Sequence, residues 1–212
     1  STLTQQKHGV YPIKTHEAFE TDPLAVLLNA FSKIERSGGG AAIQIMIGGG
    51  AAKYHHRYKG IIPRMEKGEK TEVAIRKSTV GGEIFESFKD FLSQAPTKKE
   101  EGETQKESNG EKVQLFNTKI NTPVLETNMR LVVSAQTEAR ANQILTELES
   151  SFHQFQNTKG NHIVPRRLSG TNKLRALRAF SFREFISGDT LPLSVTELAT
   201  LMHFPAEGIE SS

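Results

Sequence analysis

The segment MRLVVSAQTEARANQILTELESSFHQF, residues 129–155, joins the clearest strand pattern of the chain to its strongest helix pattern. In its first part, apolar side chains alternate with Arg130 and Val132, which is typical of a strand. In its second part, apolar side chains recur at helical spacing, and Thr137 stands where the helix would be capped. The apolar positions that share a face of this predicted helix are Ile144, Leu145, Leu148, Phe152 and Phe155.

A strand–helix–strand order is also predicted upstream, over residues 9–47. Residues 1–8 are polar and are expected to fray, and GVYPIKTHEAFE is predicted to begin with a short strand. Asp22 is a predicted N-cap with proline at the first helical position, and AAIQIMI, residues 41–47, alternates as a strand does. Downstream, NHIVPRRL is predicted to be a returning strand, which Pro165 places at the edge of a sheet.

Two strand–helix–strand units favour an α+β fold in which one sheet carries helices on one face. The preferred topology is a ferredoxin-like or related α/β sandwich. The stretch LPLSVTELATLMHFP adds a short C-terminal helix, because Ser194 and Glu197 stand at the spacing of a capping box.

A change in composition sets the predicted domain boundaries. Residues 96–112, PTKKEEGETQKESNGEK, contain no large apolar side chain and are predicted to be a charged flexible linker. This linker separates a first α+β unit, residues 9–95, from a second unit, residues 113–205. Within the first unit, Gly60 and Pro63 are expected to interrupt any single helix over 51–67. Residues 83–92 are predicted to form a short amphipathic helix.

Composition narrows the class of protein. The chain has 212 residues, a net charge of +3 and no cysteine, which excludes disulfides and thiolate catalysis and fits a reducing compartment. No signal peptide opens the sequence, and no stretch approaches the roughly 20 apolar residues that span a bilayer. Residues 159–183 carry basic and no acidic side chains, which suits phosphates or an acidic partner. The nucleic-acid-binding candidates in this segment are Arg166, Arg167, Lys173, Arg175, Arg178 and Arg183.

The sequence shows no signature of catalysis. Glycines 48–50 follow a predicted strand, but no Lys-Ser or Lys-Thr stands in the register that a phosphate-binding loop needs. These glycines are therefore interpreted as a structural end of the strand. His55 and His56 are neighbours whose rings diverge, and they are expected to face solvent rather than a metal. No GxSxG motif is present. The sequence therefore predicts no catalytic residue, no cofactor and no metal site in this chain.

Three segments resemble a known family. TELATLMHFP, residues 196–205, resembles the segment that ends the N-terminal region of bacterial type IV secretion or conjugation ATPases, a family of DNA-translocase-like motors. YPIKTHEAFETDPLAVLLNAFSKI with AAIQIMI resembles an earlier block of that region. MRLVVSAQTEARANQILTELESSFHQF, followed by Asn161, resembles a later block. The resemblance covers most of residues 10–205 and is weak across 51–121.

The resemblance implies a full-length protein with membrane helices upstream and a hexameric, RecA-like ATPase core downstream. This chain is expected to stop before the Walker motifs and to be a non-catalytic N-terminal domain that acts as scaffold, oligomerisation or substrate-contact module. The expected partners are the ATPase domain of the same parent chain and its oligomer, components of the secretion system, and DNA. The membrane is expected to be reached only through segments absent here. The expected location is the cytoplasm, at the inner face of the cell membrane.

Two other classes of function stay open. A stand-alone nucleic-acid-binding domain would use residues 159–183, together with His55, Arg57, Tyr58 and Lys59, and would bind DNA with strong salt dependence. An enzyme with a dispersed site would need a pocket that contains two titratable groups with perturbed pKa values.

Overall fold

The computed structural model describes residues 1–34, 38–78 and 102–203. The strands are β1 (Thr2–Gln5), β2 (Gly40–Ile47), β3 (Val124–Ser134), β4 (Ile163–Arg166) and β5 (Leu191–Ser194). The helices are α1 (Pro23–Ser32), α2 (Ala51–Glu66), α3 (Thr71–Lys77), α4 (Gly102–Ile120), α5 (Glu138–Ser151), α6 (Gly170–Ser181) and α7 (Val195–Leu201). Short 3-10 turns lie at His16–Ala18 and Phe152–Phe155.

The strands form one sheet in the order β2–β3–β1–β4, antiparallel at every one of these pairings, and β5 also pairs with β3. Helix α1 connects β1 to β2, and α5 connects β3 to β4. This strand order with two crossover helices is the ferredoxin-like βαββαβ topology, so the predicted α+β fold is confirmed. β4 ends the strand order, as its proline predicted, because proline cannot donate to a second neighbouring strand.

The first strand begins earlier than predicted. β1 occupies residues that were expected to fray, whereas GVYPIKTHEAFE forms turns and no strand. Thr2 pairs with Arg130 of β3 on one side, and all four residues of β1 pair with β4 on the other. The order of this short polar strand therefore comes from ladder pairing on both sides rather than from an apolar pattern of its own.

The main core lies between one face of the sheet and α1, α5 and α7. Leu27 of α1, Leu131 of β3 and Leu198 of α7 all belong to this core. The predicted apolar residues of α5 contact this core, with Leu145 at its half-buried margin, but Phe152 and Phe155 lie in the 3-10 turn that follows the helix. The predicted cap of α5 is confirmed, because the Thr137 hydroxyl accepts a hydrogen bond from the Arg140 N–H at 3.2 Å.

The C-terminal helix α7 joins the core through polar as well as apolar contacts. Its predicted capping box is confirmed, because Glu197 accepts from the Ser194 N–H at 2.6 Å and the Ser194 hydroxyl accepts from the Glu197 N–H at 3.3 Å. The other carboxylate oxygen of Glu197 accepts from the Ile13 N–H at 2.8 Å. The Thr200 hydroxyl accepts from the His16 N–H at 2.9 Å. These bonds fix α7 to the segment that follows β1.

A second compact unit, Gly50–Val124, contains α2, α3 and α4. Helix α2 runs unbroken from Ala51 to Glu66, so the expected interruption at Pro63 is wrong. Proline removes only one helical hydrogen bond, and the buried face of α2 offsets that loss by packing within the unit. The residues that form this buried face are Tyr54, Tyr58, Ile61 and Met65.

The two compact units are not consecutive halves of the chain. One unit combines Ser1–Gly49 with Leu125–Ser212, and the other is the segment between them. This grouping differs from the predicted units 9–95 and 113–205, because β2 and β3 are antiparallel neighbours that close around an inserted segment. Residues 102–112 of the predicted linker belong to α4, since Glu, Gln and Lys are good helix formers even without apolar neighbours. Residues 96–101 and the helix predicted over 83–92 lie outside the described residues.

Candidate functional site

A polar row lies on the face of the sheet opposite the main core. Gln44 of β2 stands directly opposite Arg130 of β3 in the strand register, and Asn128 lies two residues earlier on the same face of β3. Arg130 and Asn128 are fully buried. The prediction that helices lie on one face is therefore wrong, because α6 and residues 179–189 bond to this second face.

Arg130 binds the C-terminal end of α6. Its guanidinium donates to the carbonyl oxygens of Ala179 at 3.4 Å and Glu184 at 2.7 Å. It also donates to Gln44 Oε1 at 2.7 Å and Asn128 Oδ1 at 3.1 Å. Burial lowers the pKa of Arg130, and the carboxylates of Asp189 and Glu184 partly oppose that shift. A cation at this position also suits the negative end of the α6 dipole.

Two amides extend this network along the segment. Gln44 Nε2 donates to the Phe180 carbonyl at 3.0 Å. Asn128 accepts from the Ile186 N–H at 2.6 Å and donates to the carbonyls of Ile186 at 3.0 Å and Asp189 at 2.8 Å. The network therefore fixes the C-terminal half of α6 and the loop that follows it to the sheet.

Helix α6 is attached through one narrow face. Ala179 is its only residue classed as buried, and Ala176 and Phe180 are half-buried. The exposed fraction is 67% for Leu174 and 38% for Leu177. Phe182, directly after the helix, is 72% exposed. Leu174 and Phe182 are therefore largely exposed to solvent, and Leu177 is exposed in part.

The end of α6 has an unusual backbone. The Glu184 N–H donates to the Ala179 carbonyl and the Arg183 N–H donates to the Phe180 carbonyl, which is the pair of bonds of a Schellman motif. Glycine usually occupies the left-handed position of this motif, but here Arg183 adopts it with φ 54°. Arg183 thus occupies a position whose backbone conformation favours glycine.

The six predicted basic residues lie on and beside α6, and they fall into two groups. Arg166 pairs with Asp189, Arg167 pairs with Glu149 at 2.8 Å, and Arg178 pairs with Glu184 at 3.6 Å. The hydrogen bond to Glu149 raises the pKa of Arg167. Within the described ranges, no carboxylate forms an ion pair with Lys173, Arg175 or Arg183.

Two clefts flank α6. A cleft of about 340 Å³ is lined by Arg166, Arg167 and Arg175, with Ser169 and Asn172 at the start of the helix. A more apolar cleft of about 190 Å³ opens on the other side, where Lys173 and Leu177 of α6 face α5 and β3. The structure therefore brings most of the predicted basic residues to one surface, and the apolar residues of α6 lie among them.

The second predicted group belongs to α2, in the other compact unit. Tyr58 is buried there, with its ring centroid 5.5 Å from that of Tyr54, so its predicted contact with nucleic acid is wrong. Tyr58 shares the apolar face of α2, which is a helical periodicity that the basic neighbours obscure in the sequence. His55 and His56 are exposed, as predicted. Lys59 is exposed and Arg57 is half-buried.

The glycine stretch after β2 serves the fold. The ladder to β3 continues past the strand, because the Gly48 N–H donates to the Glu126 carbonyl at 2.7 Å and the Gly49 carbonyl accepts from the Glu126 N–H at 3.0 Å. A Cβ on Gly48 would lie 3.0 Å from the ring of Phe185. Gly50 has φ 98° and caps α2. Glycines 48–50 thus end one element and begin the next, as interpreted from the sequence.

The described part of the chain contains neither a candidate metal centre nor a helix that could span a membrane. No group of three or more His, Cys, Asp or Glu side chains there could hold a metal ion. In the same ranges, every helix falls short of the length or the apolar character that crossing a membrane requires.

Sequence reasoning missed the residues that attach α6. Gln44, Asn128 and Arg130 occupy alternating positions of two strands, which indicates a polar face but leaves open whether water or protein covers it. The signal was the polarity of two adjacent strands on the same face, where Gln44 of β2 lies beside Asn128 and Arg130 of β3.

Comparison with known proteins gives a family without a described activity. No curated protein and no solved structure matches the chain. One family model matches residues 1–212, the full length of the sequence. The chain therefore belongs to the family described as "Domain of unknown function (DUF8128)".

Proposed function

We propose that this chain is a non-catalytic docking domain of a membrane-associated type IV secretion or conjugation ATPase, located at the inner face of the cell membrane. Its role is to contact a partner surface while the ATPase core of the same parent chain hydrolyses nucleotide. The proposal combines the family resemblance of three sequence segments with the surface that α6 presents.

The exposed surface of α6 is the observation that carries the docking role. It combines exposed apolar side chains at Leu174 and Phe182, and the partly exposed Leu177, with basic neighbours, and buried Arg130 fixes the end of the helix to the sheet. A contiguous apolar surface rimmed by charge is typical of an interaction site. Because the helix is already formed, contact with a partner requires no folding step.

The segment TELATLMHFP supports the family part of the proposal. Glu197 and Thr200 of this segment hold the chain that follows β1, and Leu198 and Leu201 lie in the core. The resemblance is thus carried by residues that build the domain rather than by a variable surface.

The parent reading frame provides the test. It is expected to continue into a G-x-x-x-x-G-K-[ST] motif, and its product is expected to hydrolyse ATP. Replacing Leu174 and Phe182 by serine in that product is expected to leave ATP hydrolysis unchanged and to lower cargo transfer by cells. The matched control is Val26→Ser with Met202→Ser, which removes two exposed apolar side chains elsewhere. A parent chain without a nucleotide-binding core contradicts the proposal.

A second candidate function is nucleic-acid binding by the basic segment 159–183. The cleft formed by Arg166, Arg167 and Arg175 favours it, since arginine forks match phosphate oxygens. DNA affinity is then expected to fall steeply with salt, and to be lost when these three residues and Arg178 become alanine. The control replaces Lys7, Lys33, Lys67 and Lys70, which are exposed elsewhere and carry the same total charge, by alanine. No measurable binding at low salt contradicts this candidate.

A further inference from the structure

We infer that α6 docks the domain on an anionic lipid bilayer, with Leu174 and Phe182 entering the headgroup region, Leu177 at their margin, and the neighbouring basic side chains binding lipid phosphates. This inference rests on the proposed docking role and names its partner. It also goes beyond the expectation that the membrane is reached only through other segments, because it assigns a contact to this chain.

The geometry of the helix places the apolar side chains outward. With about 100° between successive residues of an α-helix, Leu174 and Leu177 lie within about 60° of each other, and Ala179 lies on the opposite side. Ala179 is buried against the sheet, whereas Leu174 is 67% exposed and Phe182 is 72% exposed. The apolar stripe formed by Leu174 and Leu177 thus lies away from the face of α6 that packs on the sheet, with Leu177 at its edge beside the cleft that faces α5 and β3.

The charge of the surroundings selects the partner. Lys173 and Arg178 each stand four residues from a leucine of the stripe, so basic side chains flank it on both sides. Lys173, Arg175 and Arg183 have no ion-pair partner among the residues that the structure describes. A helix with Leu and Phe on one side and Lys and Arg around them is typical of helices that lie in the interface of anionic membranes.

The apolar stripe favours lipid over the two other classes of partner. A nucleic acid would be met by polar and basic side chains, and outward leucines at the centre of the surface would gain little from phosphates. A protein partner would have to place acidic groups opposite each flanking basic side chain, whereas an anionic bilayer offers phosphates all around the stripe. Lysine and arginine can extend their stems along the acyl boundary while their charges reach the headgroups.

The backbone at Arg183 is an independent observation. A left-handed conformation costs a non-glycine residue free energy, and glycine would satisfy the same Schellman bonds without that cost. Strained backbone positions cluster at binding and active sites, and the exposed Arg183 occupies such a position. An additional cation next to Phe182 suits binding at an anionic surface.

The chain lacks tryptophan, so a single introduced tryptophan reports on one position. Phe182→Trp is mixed with vesicles of phosphatidylcholine alone, and with vesicles that also contain phosphatidylglycerol. The expected result is a blue-shifted emission with the anionic vesicles only, and quenching by brominated acyl chains. Val26→Trp is the matched control, because Val26 is exposed on α1, and its emission is expected to stay unchanged.

Cosedimentation with the same vesicles separates the apolar and the electrostatic contributions. Leu174→Ser with Phe182→Ser is expected to weaken binding to anionic vesicles about tenfold or more, because it removes the inserted groups and leaves the charge unchanged. Arg175→Gln, Arg178→Gln and Arg183→Gln together are expected to weaken it as well. The variant with Lys33, Lys59 and Lys67 replaced by glutamine loses the same charge elsewhere and is expected to bind as the unmodified chain does.

Three outcomes would overturn the lipid inference. The first is no binding to anionic vesicles. The second is binding that the double serine variant leaves intact. The third is salt-dependent binding to DNA with no shift of the Phe182→Trp emission on vesicles, which would favour the nucleic-acid candidate. Circular dichroism of each variant confirms that it is folded. If Leu174→Ser with Phe182→Ser lowers cargo transfer although the unmodified chain does not bind vesicles, the proposed docking function is supported and the lipid inference is wrong.

Discussion

Arg183 shows, at the scale of a single residue, a conflict between backbone and side chain. Its φ of 54° belongs to the left-handed region, and its N–H and that of Glu184 close a Schellman motif on α6. Glycine adopts this conformation without a steric penalty. The stability of the domain and the charge of its α6 surface therefore favour different residues at this position.

Arg183→Gly is expected to stabilise the domain by about 0.5–1 kcal/mol, because glycine relieves the left-handed strain. Urea denaturation followed by circular dichroism measures the change. Arg183→Ala is the control, since alanine removes the charge and keeps the strain. Equal stability of the glycine and alanine variants would contradict the role assigned to the backbone.

Arg130 shows the opposite situation, in which a charged side chain is needed by the fold. Arg130→Met is expected to destabilise the domain by about 2–4 kcal/mol, because Gln44 and two carbonyl groups of the α6 end lose their donor in a buried site. Arg175→Met on the exposed part of α6 is expected to change stability by less than about 0.5 kcal/mol. Chemical denaturation compares the two. A small effect at Arg130 would mean that α6 is fixed by its apolar contacts alone.

At Arg130, the sequence predicted the secondary structure but not the burial of the side chain. The strand pattern around Arg130 was predicted because alternation is a local property of the chain. The burial of Arg130 was not predicted, because an arginine on a strand most often faces solvent. The carbonyl groups that accept its hydrogen bonds belong to residues about fifty positions downstream.

Helix α7 combines a local N-terminal cap with a long-range contact. The S-x-x-E spacing predicted its start, because a capping box involves only residues of the helix itself. The second role of Glu197, which is to accept the Ile13 N–H, joins residues 184 positions apart. A local motif and a tertiary contact thus share one carboxylate.

Glu197→Gln is expected to destabilise the domain by about 1–3 kcal/mol, because one of the two buried N–H groups then faces an amide instead of a carboxylate oxygen. Glu138→Gln, in the exposed first turn of α5, provides the comparison and is expected to have little effect. Thermal unfolding measures both. If the two variants lose the same stability, the tertiary contact of Glu197 contributes nothing beyond helix capping.

At the scale of the whole molecule, the ferredoxin-like unit is assembled from both ends of the chain. Its β2 and β3 are antiparallel neighbours whose register runs from Gly40 opposite Ser134 to Ile47 opposite Thr127. The segment Gly50–Val124 is inserted between these two strands, at the place where a hairpin turn would otherwise connect them. Its helices have a buried set of their own, which includes Tyr58, Ile61 and Phe116.

Replacing residues 50–124 by Asn-Gly is therefore expected to leave a folded ferredoxin-like domain. The two-residue turn suits the twist of an antiparallel pair, and it would join Gly49 to Leu125 directly beyond the bonds that Gly48 and Gly49 form with Glu126. Cooperative thermal unfolding and far-ultraviolet circular dichroism test this expectation. The control joins the same ends through a long Gly/Ser linker. Failure of both variants to fold would show that the inserted unit is needed for the sheet.

By itself, the sequence determined the elements whose signals are local: the β3–α5 pair, the caps at Asp22, Thr137 and Ser194, and the α+β class that follows from two strand–helix–strand units. Only the tertiary structure decided where β1 lies, that α2 continues through Pro63, that the middle of the chain is an insertion, and that buried Arg130 attaches α6 to the second face of the sheet. The physical reason is the distance along the chain between the groups that interact. Caps and periodicity depend on neighbours within a few residues, whereas strand pairing, burial and buried hydrogen bonds depend on groups that folding brings from distant parts of the chain.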